Sequence, residues 1–191
     1  MSLALNTPPS NEPVTLAEAK VYLRIDHADE DALIQSLLLA ARMHLERVTG
    51  LAFLTQTWSL WLDHWPGPEV TIPLYPLASI TAVKTYPATG PAVTADPASY
   101  VADTARRPPR VVRVGATWPE PQRAANGIEI VFTAGFGPNA ADLPAPLAKA
   151  ILLLAADWYE TRGPLAIGDP AESLPRPVAG LIAPYRTRRL T

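Results

Sequence analysis

The transition at residues 127–159 most constrains the fold of this chain, because the hydrophobic period changes there from that of a strand to that of a helix. Ile128–Thr133 is rich in β-branched and aromatic residues, which favour a strand. The next four residues read Ala-Gly-Phe-Gly, and glycine permits a corner that a side chain would block. A helix pattern follows at once, so the chain must combine both kinds of element in an α+β fold.

Three segments are predicted to form helices, and the two longer ones have an apolar stripe at helical spacing. Thr15 and Glu18 form a capping-box pattern that starts a helix near 15–24. A second helix is predicted near 30–49, with Asp29 or a neighbouring acid as its cap. Its apolar stripe consists of Leu33, Ile34, Leu37, Leu38, Ala41, Leu45 and Val48. The stripe of a third helix, near 143–161, consists of Leu147, Ala150, Ile151, Leu154, Ala155, Trp158 and Tyr159.

The second and third helices are expected to pack together in a small bundle, because each has an apolar stripe to bury. The segment between them reads as a mostly antiparallel β-unit inserted into the bundle. Its candidate strands are 55–62, 70–74, 80–86, 99–102, 110–114 and 128–133. A short C-terminal helix is expected within 178–185. The predicted parts are an N-terminal arm with little structure (1–13), a helical part (14–51), the β-rich insertion (52–141), a helix completing the bundle (142–162), and a loop with a docking tail (163–191).

Composition narrows the class of protein. The 191 residues are 48% hydrophobic and 18% charged, which is typical of a globular chain, and their net charge of −2 gives no general attraction to nucleic acid or membranes. The chain has no cysteine, which excludes disulfides and thiolate metal sites. No apolar run reaches the length of a membrane span, and no secretion signal is apparent. The 22 prolines suit loops and extended arms.

No catalytic, metal-binding or cofactor-binding motif is present. The histidines His27, His44 and His64 are scattered, which favours surface or capping roles. The acids at 26–31 lack the glycine of an EF-hand loop, so helix capping explains them. The glycines at 134–137 lack the Gly-Lys-Ser/Thr of a phosphate loop. We therefore predict no enzyme, no metal and no cofactor.

Two arginine clusters are the candidate binding residues. The first consists of Arg106, Arg107, Arg110 and Arg113, for which three interpretations stay open: a solvated hairpin edge, an interface with acidic neighbours such as a subunit contact, or a DNA contact. The second closes the chain, and the apolar residues before it suggest a docking segment. That segment consists of Leu181, Ile182, Pro184, Tyr185, Arg186, Arg188 and Arg189.

The five tryptophans fall into two groups, one assigned to the core and one to possible interfaces. Trp58 and Trp158 are predicted to lie in the local core. Trp61, Trp65 and Trp118 are candidates for exposed interface anchors, because tryptophan is frequent at interface hot spots.

The order of these motifs resembles the head–tail connector (adaptor) proteins of tailed phages, including the adaptors of gene transfer agents, which are phage-like particles made by bacteria. The likeness covers roughly residues 12–189. It is carried by Glu-Pro-Val-Thr-Leu-Ala-Glu-Ala from residue 12, Glu-Arg-Val-Thr-Gly from 46, Pro-Leu-Ala-Ser-Ile-Thr-Ala-Val from 76, Val-Phe-Thr-Ala-Gly-Phe-Gly from 131, and Ala-Gly-Leu-Ile-Ala-Pro-Tyr-Arg from 179.

The resemblance implies a structural protein of the virion or particle, located at the head–tail junction and assembled in the bacterial cytoplasm. About a dozen copies would form a ring beneath the portal protein, extend the DNA channel and carry the next connector or stopper protein. Contact with passing DNA would be transient and non-specific, and no membrane is involved. The C-terminal segment would dock on the portal, so truncation after Ala179 is predicted to abolish docking and to leave the fold intact. The alternative is a DNA-binding accessory protein that uses the arginine clusters.

Overall fold

The computed structural model describes residues 1–115, 118–161 and 174–186. These residues form α-helices and antiparallel sheets, so the predicted α+β class is confirmed. The chain divides into two compact units. We call Met1–Pro9 with Thr55–Phe136 the β-unit, and Ser10–Leu54 with Gly137–Thr191 the helical unit.

The helical unit contains the four α-helices of the described residues: α1 (Leu16–Leu23), α2 (Asp31–Thr49), α3 (Ala145–Thr161) and α4 (Arg176–Ile182). The capping box at α1 is present, with Thr15 Oγ1 accepting from the Glu18 amide and Glu18 Oε2 accepting from the Thr15 amide. The N-cap residue of α2 is Glu30, one of the acids next to Asp29, as predicted, but its side chain makes no capping hydrogen bond.

The predicted packing of α2 against α3 is confirmed. The buried residues of α2 include Ile34, Leu38, Ala41 and Leu45, and those of α3 include Leu147, Ala150, Ile151 and Leu154. The short helix α4 also packs on α3 and buries Val178 and Ile182 completely or almost so. The helical core therefore includes part of the segment that the sequence assigns to docking.

The β-unit contains β1 (Ser2–Thr7), β2 (Gln56–Leu62), β3 (Glu69–Thr71), β4 (Leu77–Thr85), β5 (Val93–Thr94), β6 (Tyr100–Asp103), β7 (Arg110–Arg113) and β8 (Ile128–Ala134). One sheet has the order β1-β2-β8-β4-β5 and the other the order β3-β7-β6. Every pairing is antiparallel, as predicted. Leu60, Ile130 and Val83 align across the larger sheet and are fully buried on one face.

The N-terminal arm differs from the prediction of little structure. Its first residues form β1, which pairs with β2 from Ser2 opposite Trp61 to Leu5 opposite Trp58. The side chains of this strand are almost all exposed, so it has no buried face that would require the polar–apolar alternation of a half-buried strand. Main-chain hydrogen bonds to β2 hold the segment in place. Such bonds can form with almost any side chain, so the residue types did not predict this strand.

Candidate functional site

The first arginine cluster lies on the smaller sheet, where its charges meet carboxylates of the same unit. Arg110 on β7 stands opposite Asp103 on β6, and its Nε donates to Asp103 Oδ2 at 2.9 Å. Its Nη1 donates to Oε2 of Glu69 at the start of β3. Three adjacent antiparallel strands therefore bring one arginine between two acids.

Charge pairing lowers the pKa of Asp103. The hydrogen bond from Arg110 is the largest cause, and the nearby guanidinium of Arg106 adds to it. The same hydrogen bond raises the pKa of Arg110. Both groups are therefore held in their charged forms, as expected for a structural ion pair.

Two further members of the cluster are engaged within the β-unit. Arg106 Nη1 lies 3.8 Å from Glu69 Oε1, and the Arg107 guanidinium lies 4.8 Å from the centre of the Tyr75 ring. These contacts favour the interpretation of a hairpin edge with satisfied charges. A role in a subunit contact or at the DNA channel stays a prediction for this cluster, Arg113 included.

The C-terminal candidates fall into different environments. Ile182 is fully buried in the helical unit, so it is not available for docking, and this member of the predicted set is corrected. Leu181 is half-buried, and Pro184 is exposed in the single turn of 3₁₀ helix that follows α4. Arg188 and Arg189 lie outside the described residues.

Arg186 is the most informative residue of this segment. It is half-buried, and its Nε and Nη2 atoms are shielded from solvent without a hydrogen-bond partner in the described part of the chain. Shielded guanidinium nitrogens without acceptors are unfavourable, because their desolvation is not compensated.

A polar network on the other face of the larger sheet was not predicted from the sequence. Glu129 on β8 is 7% exposed and accepts hydrogen bonds from Ser59 Oγ at 2.6 Å, Tyr86 OH at 2.8 Å and Lys84 Nζ at 3.1 Å. Asn6 of β1 donates to the same Ser59 hydroxyl at 2.8 Å. The hydrogen-bond network around this carboxylate therefore joins β1, β2, β4 and β8.

The electrostatics of Glu129 identify it as a fixed anion. Burial raises the pKa of its carboxyl, but the hydrogen bonds from Ser59, Tyr86 and Lys84 outweigh burial, so the net pKa lies below the ordinary value. A carboxyl with a lowered pKa is ionised at neutral pH and is unsuited to general-acid chemistry. The sequence did contain a sign of this site, because Glu129 is a charged residue within the apolar run Ile128–Thr133. Charged residues are seldom buried unless they have a partner, so such a position indicates a paired carboxylate.

The predicted aromatic anchors are also corrected in part. Trp118 is only 2% exposed: its ring packs on Trp65 at 4.4 Å, and its Nε1 donates to Ser99 Oγ. Trp61 and Trp65 remain half-exposed. Trp118 belongs to the core of the β-unit, and the other two keep surface for a partner.

The described residues contain neither a metal-binding cluster nor a helix that could span a membrane. They contain no group of three His, Asp or Glu side chains that could hold a metal ion. Among the helices that the structure describes, none is both long and apolar enough to cross a membrane. A cleft of about 400 Å³ beside β3 is lined by residues that include Asp63, His64 and Glu69.

Comparison with known proteins points to assembly. A family model described as phage gp6-like head-tail connector protein matches residues 13–84. No protein of curated function matches the sequence. Among solved structures, a chain in the neck of an empty gene transfer agent particle, computed with C6 symmetry, is 34% identical with a TM-score of 0.84. The alignment covers 100% of this chain and 98% of that one.

Two further chains come from native gene transfer agent particles. One belongs to a virion and is 32% identical with a TM-score of 0.85, and the other belongs to a neck computed with C12 symmetry and is 32% identical with a TM-score of 0.82. Each alignment covers 100% of this chain and 98% of the other. The protein therefore belongs to the family of phage gp6-like head-tail connector proteins and is a structural protein rather than an enzyme.

Proposed function

We propose that this protein is the adaptor of a phage-like particle and forms a ring of about twelve copies beneath the portal protein. The observation that carries the proposal is the whole-length likeness, at 32% identity, to a chain of a particle neck computed with C12 symmetry. Cyclic symmetry requires that each copy present two different surfaces, one to each neighbour. The ring would extend the DNA channel and carry the next connector or stopper protein.

The charge of the chain suits this role. A net charge of −2 leaves no strong general attraction for DNA. Arg110 forms ion pairs with Glu69 and Asp103, and Arg106 forms one with Glu69. A channel wall with paired charges lets DNA pass, whereas a wall of unpaired arginines would hold it through many phosphate contacts.

We propose that the C-terminal segment docks on the portal through the residues that remain outside the helical core. Leu181, Pro184, Tyr185 and Arg186 precede Arg188 and Arg189. Among the described residues, Nε and Nη2 of Arg186 have no acceptor, which supports a carboxylate on the portal as the partner, since arginine binds carboxylate with two parallel hydrogen bonds. Ile182 instead holds α4 on α3.

Electron microscopy of the purified protein, alone and mixed with the portal protein of the same particle, tests the adaptor role. The expected result is a ring stacked on the portal. Free adaptor beside bare portal at micromolar concentration and moderate salt would contradict it. Duplex binding at low salt that collapses as salt rises would then favour the DNA-binding alternative.

One truncation and one substitution locate the docking surface. A chain ending after Arg186 keeps the buried Ile182 and loses Arg188 and Arg189, so it should fold and bind the portal more weakly. Arg186→Ala should also weaken binding, while Arg176→Ala, at an exposed position at the start of α4, serves as the matched control. Unchanged portal affinity for both changed tails would show that docking lies elsewhere.

A further inference from the structure

Helix α2 is apolar on two opposite sides. One side faces the helical core, as described above. On the other side Leu33 is 43% exposed, Leu39 is 41% exposed and Met43 is 57% exposed. A helix at the surface of a monomer normally directs charged and polar residues outward, so this pattern indicates a second contact.

The exposed residues form one continuous surface. Steps of three or four residues along a helix keep side chains on one face, and Leu33, Ser36, Leu39, Ala40 and Met43 are related by such steps. We call these five residues the outer face of α2. Between Ala32 and Met43 no exposed residue carries a charge, and the one charged side chain in that span, Arg42, is buried on the other side.

We propose that the outer face of α2 is a contact between adjacent copies in the ring. The proposal rests on the proposed adaptor function and assigns one of the two surfaces that ring closure requires. The occupant is a second copy of this chain, because a similar chain lies in a neck computed with C12 symmetry, where copies of one chain surround the axis. Because ring contacts are heterologous, the surface received is a different patch of the neighbour.

The chemistry of the outer face fits such a contact. The centres of protein interfaces are depleted in charge and enriched in methionine, which adapts its shape to a partner. Ser36 and Ala40 are small, so they permit close approach of a neighbouring element between Leu33, Leu39 and Met43. The charged Arg47, one turn beyond Met43 and exposed, suits the rim.

Charge introduced on this face tests the proposal. The double variant Leu39→Glu/Met43→Glu should fold as the wild type does, because both side chains are exposed, and it should form no rings on the portal. Val101→Glu, at a 54% exposed apolar position in the β-unit, is the matched control and should leave rings intact. Rings formed by the double variant, or rings lost equally in the control, would overturn the proposal.

A chemical readout covers the case in which the double variant fails to fold. The chain has no cysteine, so Met43→Cys creates a unique thiol. A maleimide probe should label that thiol rapidly in the free protein and slowly in the ring on the portal. Val101→Cys should be labelled at similar rates in both states. Equal labelling of Met43→Cys in both states would place the contact elsewhere.

The same experiments separate this proposal from the proposed function. If the wild-type protein forms no ring with its portal, the adaptor role itself fails. If it forms a ring while the outer face of α2 stays reactive and tolerates charge, the adaptor role stands and only the assigned surface is wrong.

Discussion

Arg42 in the helical unit and Arg110 in the β-unit are each held by two carboxylates, but they differ in burial. Arg42 donates through Nε and Nη2 to both oxygens of Glu12, at 2.8 and 3.1 Å, and through Nη1 to Glu46 at 2.7 Å. Its side chain is 6% exposed, whereas that of Arg110 is 30% exposed. The same chemistry therefore operates in two different dielectric environments.

The difference shows what each pair does. Burial lowers the pKa of Arg42, but its hydrogen bonds and charge interactions with Glu12 and Glu46 outweigh burial and raise the net pKa. Glu46 also accepts from the Phe53 amide at 2.7 Å, so the network joins the segment before α1, the helix α2 and the segment after α2. Arg110 ties neighbouring strands at the surface, where water competes for every contact.

The largest effect is expected from Arg42→Ala. Removal of one partner leaves Glu12 and Glu46 near each other without their cation, and breaking a buried pair in this way costs about 3–5 kcal/mol of unfolding free energy. Urea unfolding followed by circular dichroism measures the loss. Arg47→Ala, at an exposed position on the same helix, is the control and should stay within about 0.5 kcal/mol of the wild type.

A double-mutant cycle sharpens that prediction. Glu12→Gln combined with Arg42→Ala should cost less than the sum of the single changes, because the two residues share one interaction. Additive losses would mean that Arg42 acts through its packing and not through the pair with Glu12.

Glu129→Gln should have the next largest effect, because the neutral amide loses the charge-assisted bonds to Lys84, Ser59 and Tyr86. The expected loss at neutral pH is about 1–3 kcal/mol. Since the folded-state pKa lies below the ordinary 4.5, this carboxylate stabilises the fold above that pH, and the contribution disappears as pH falls through the folded-state pKa.

The pH series distinguishes this role from simple packing. The stability difference between wild type and Glu129→Gln should shrink as the pH is lowered from 7 through about 4.5 and below. Glu120→Gln, at an exposed position of the β-unit, is the control and should follow the wild type at every pH. A difference that stays constant over that range would contradict the charge-based explanation.

The comparison of Arg42 with Arg110 also explains which features were visible in the sequence. The helices, the mostly antiparallel β-unit and the packing of α2 on α3 were predicted, because each depends on a local period or cap. The burial of Arg42 was not visible in the sequence. A charged side chain is buried only where it has a partner, and its partner Glu12 lies 30 residues away along the chain. The dense cluster at 106–113 gave a strong signal, but two of its members, Arg106 and Arg110, pair with acids of their own sheet.

The predictions for the N-terminal arm and for Ile182 were wrong for related reasons. β1 is held by main-chain bonds to β2, which residue types hardly record. Ile182 was assigned to docking because it stands among apolar residues near the chain end, but an apolar residue gives no indication whether it meets its own core or a partner. The same ambiguity applies to the outer face of α2, whose Leu33 was predicted to belong to the inner stripe and is 43% exposed.

Thr15→Ala tests an exposed carboxylate that is organised by a local motif. Glu18 has a lowered pKa, chiefly through the hydrogen bond from the Thr15 backbone and then that from its hydroxyl. Loss of the hydroxyl removes the N-cap of α1 and should cost about 1 kcal/mol. Thr15→Ser is the control, because serine caps as well as threonine does. A Thr15→Ala protein as stable as the wild type in urea would show that tertiary contacts alone hold α1.

The smallest effect is expected from Arg110→Ala, which completes the comparison with Arg42. Water and the neighbouring Arg106 can take over part of the interaction with Glu69 and Asp103, so thermal unfolding should change far less than in Arg42→Ala. Added salt should reduce the difference further, because screening weakens exposed pairs more than buried ones. A loss comparable with that of Arg42→Ala would contradict the argument from burial. A loss of ring formation without a loss of stability would instead support the predicted subunit contact for this cluster.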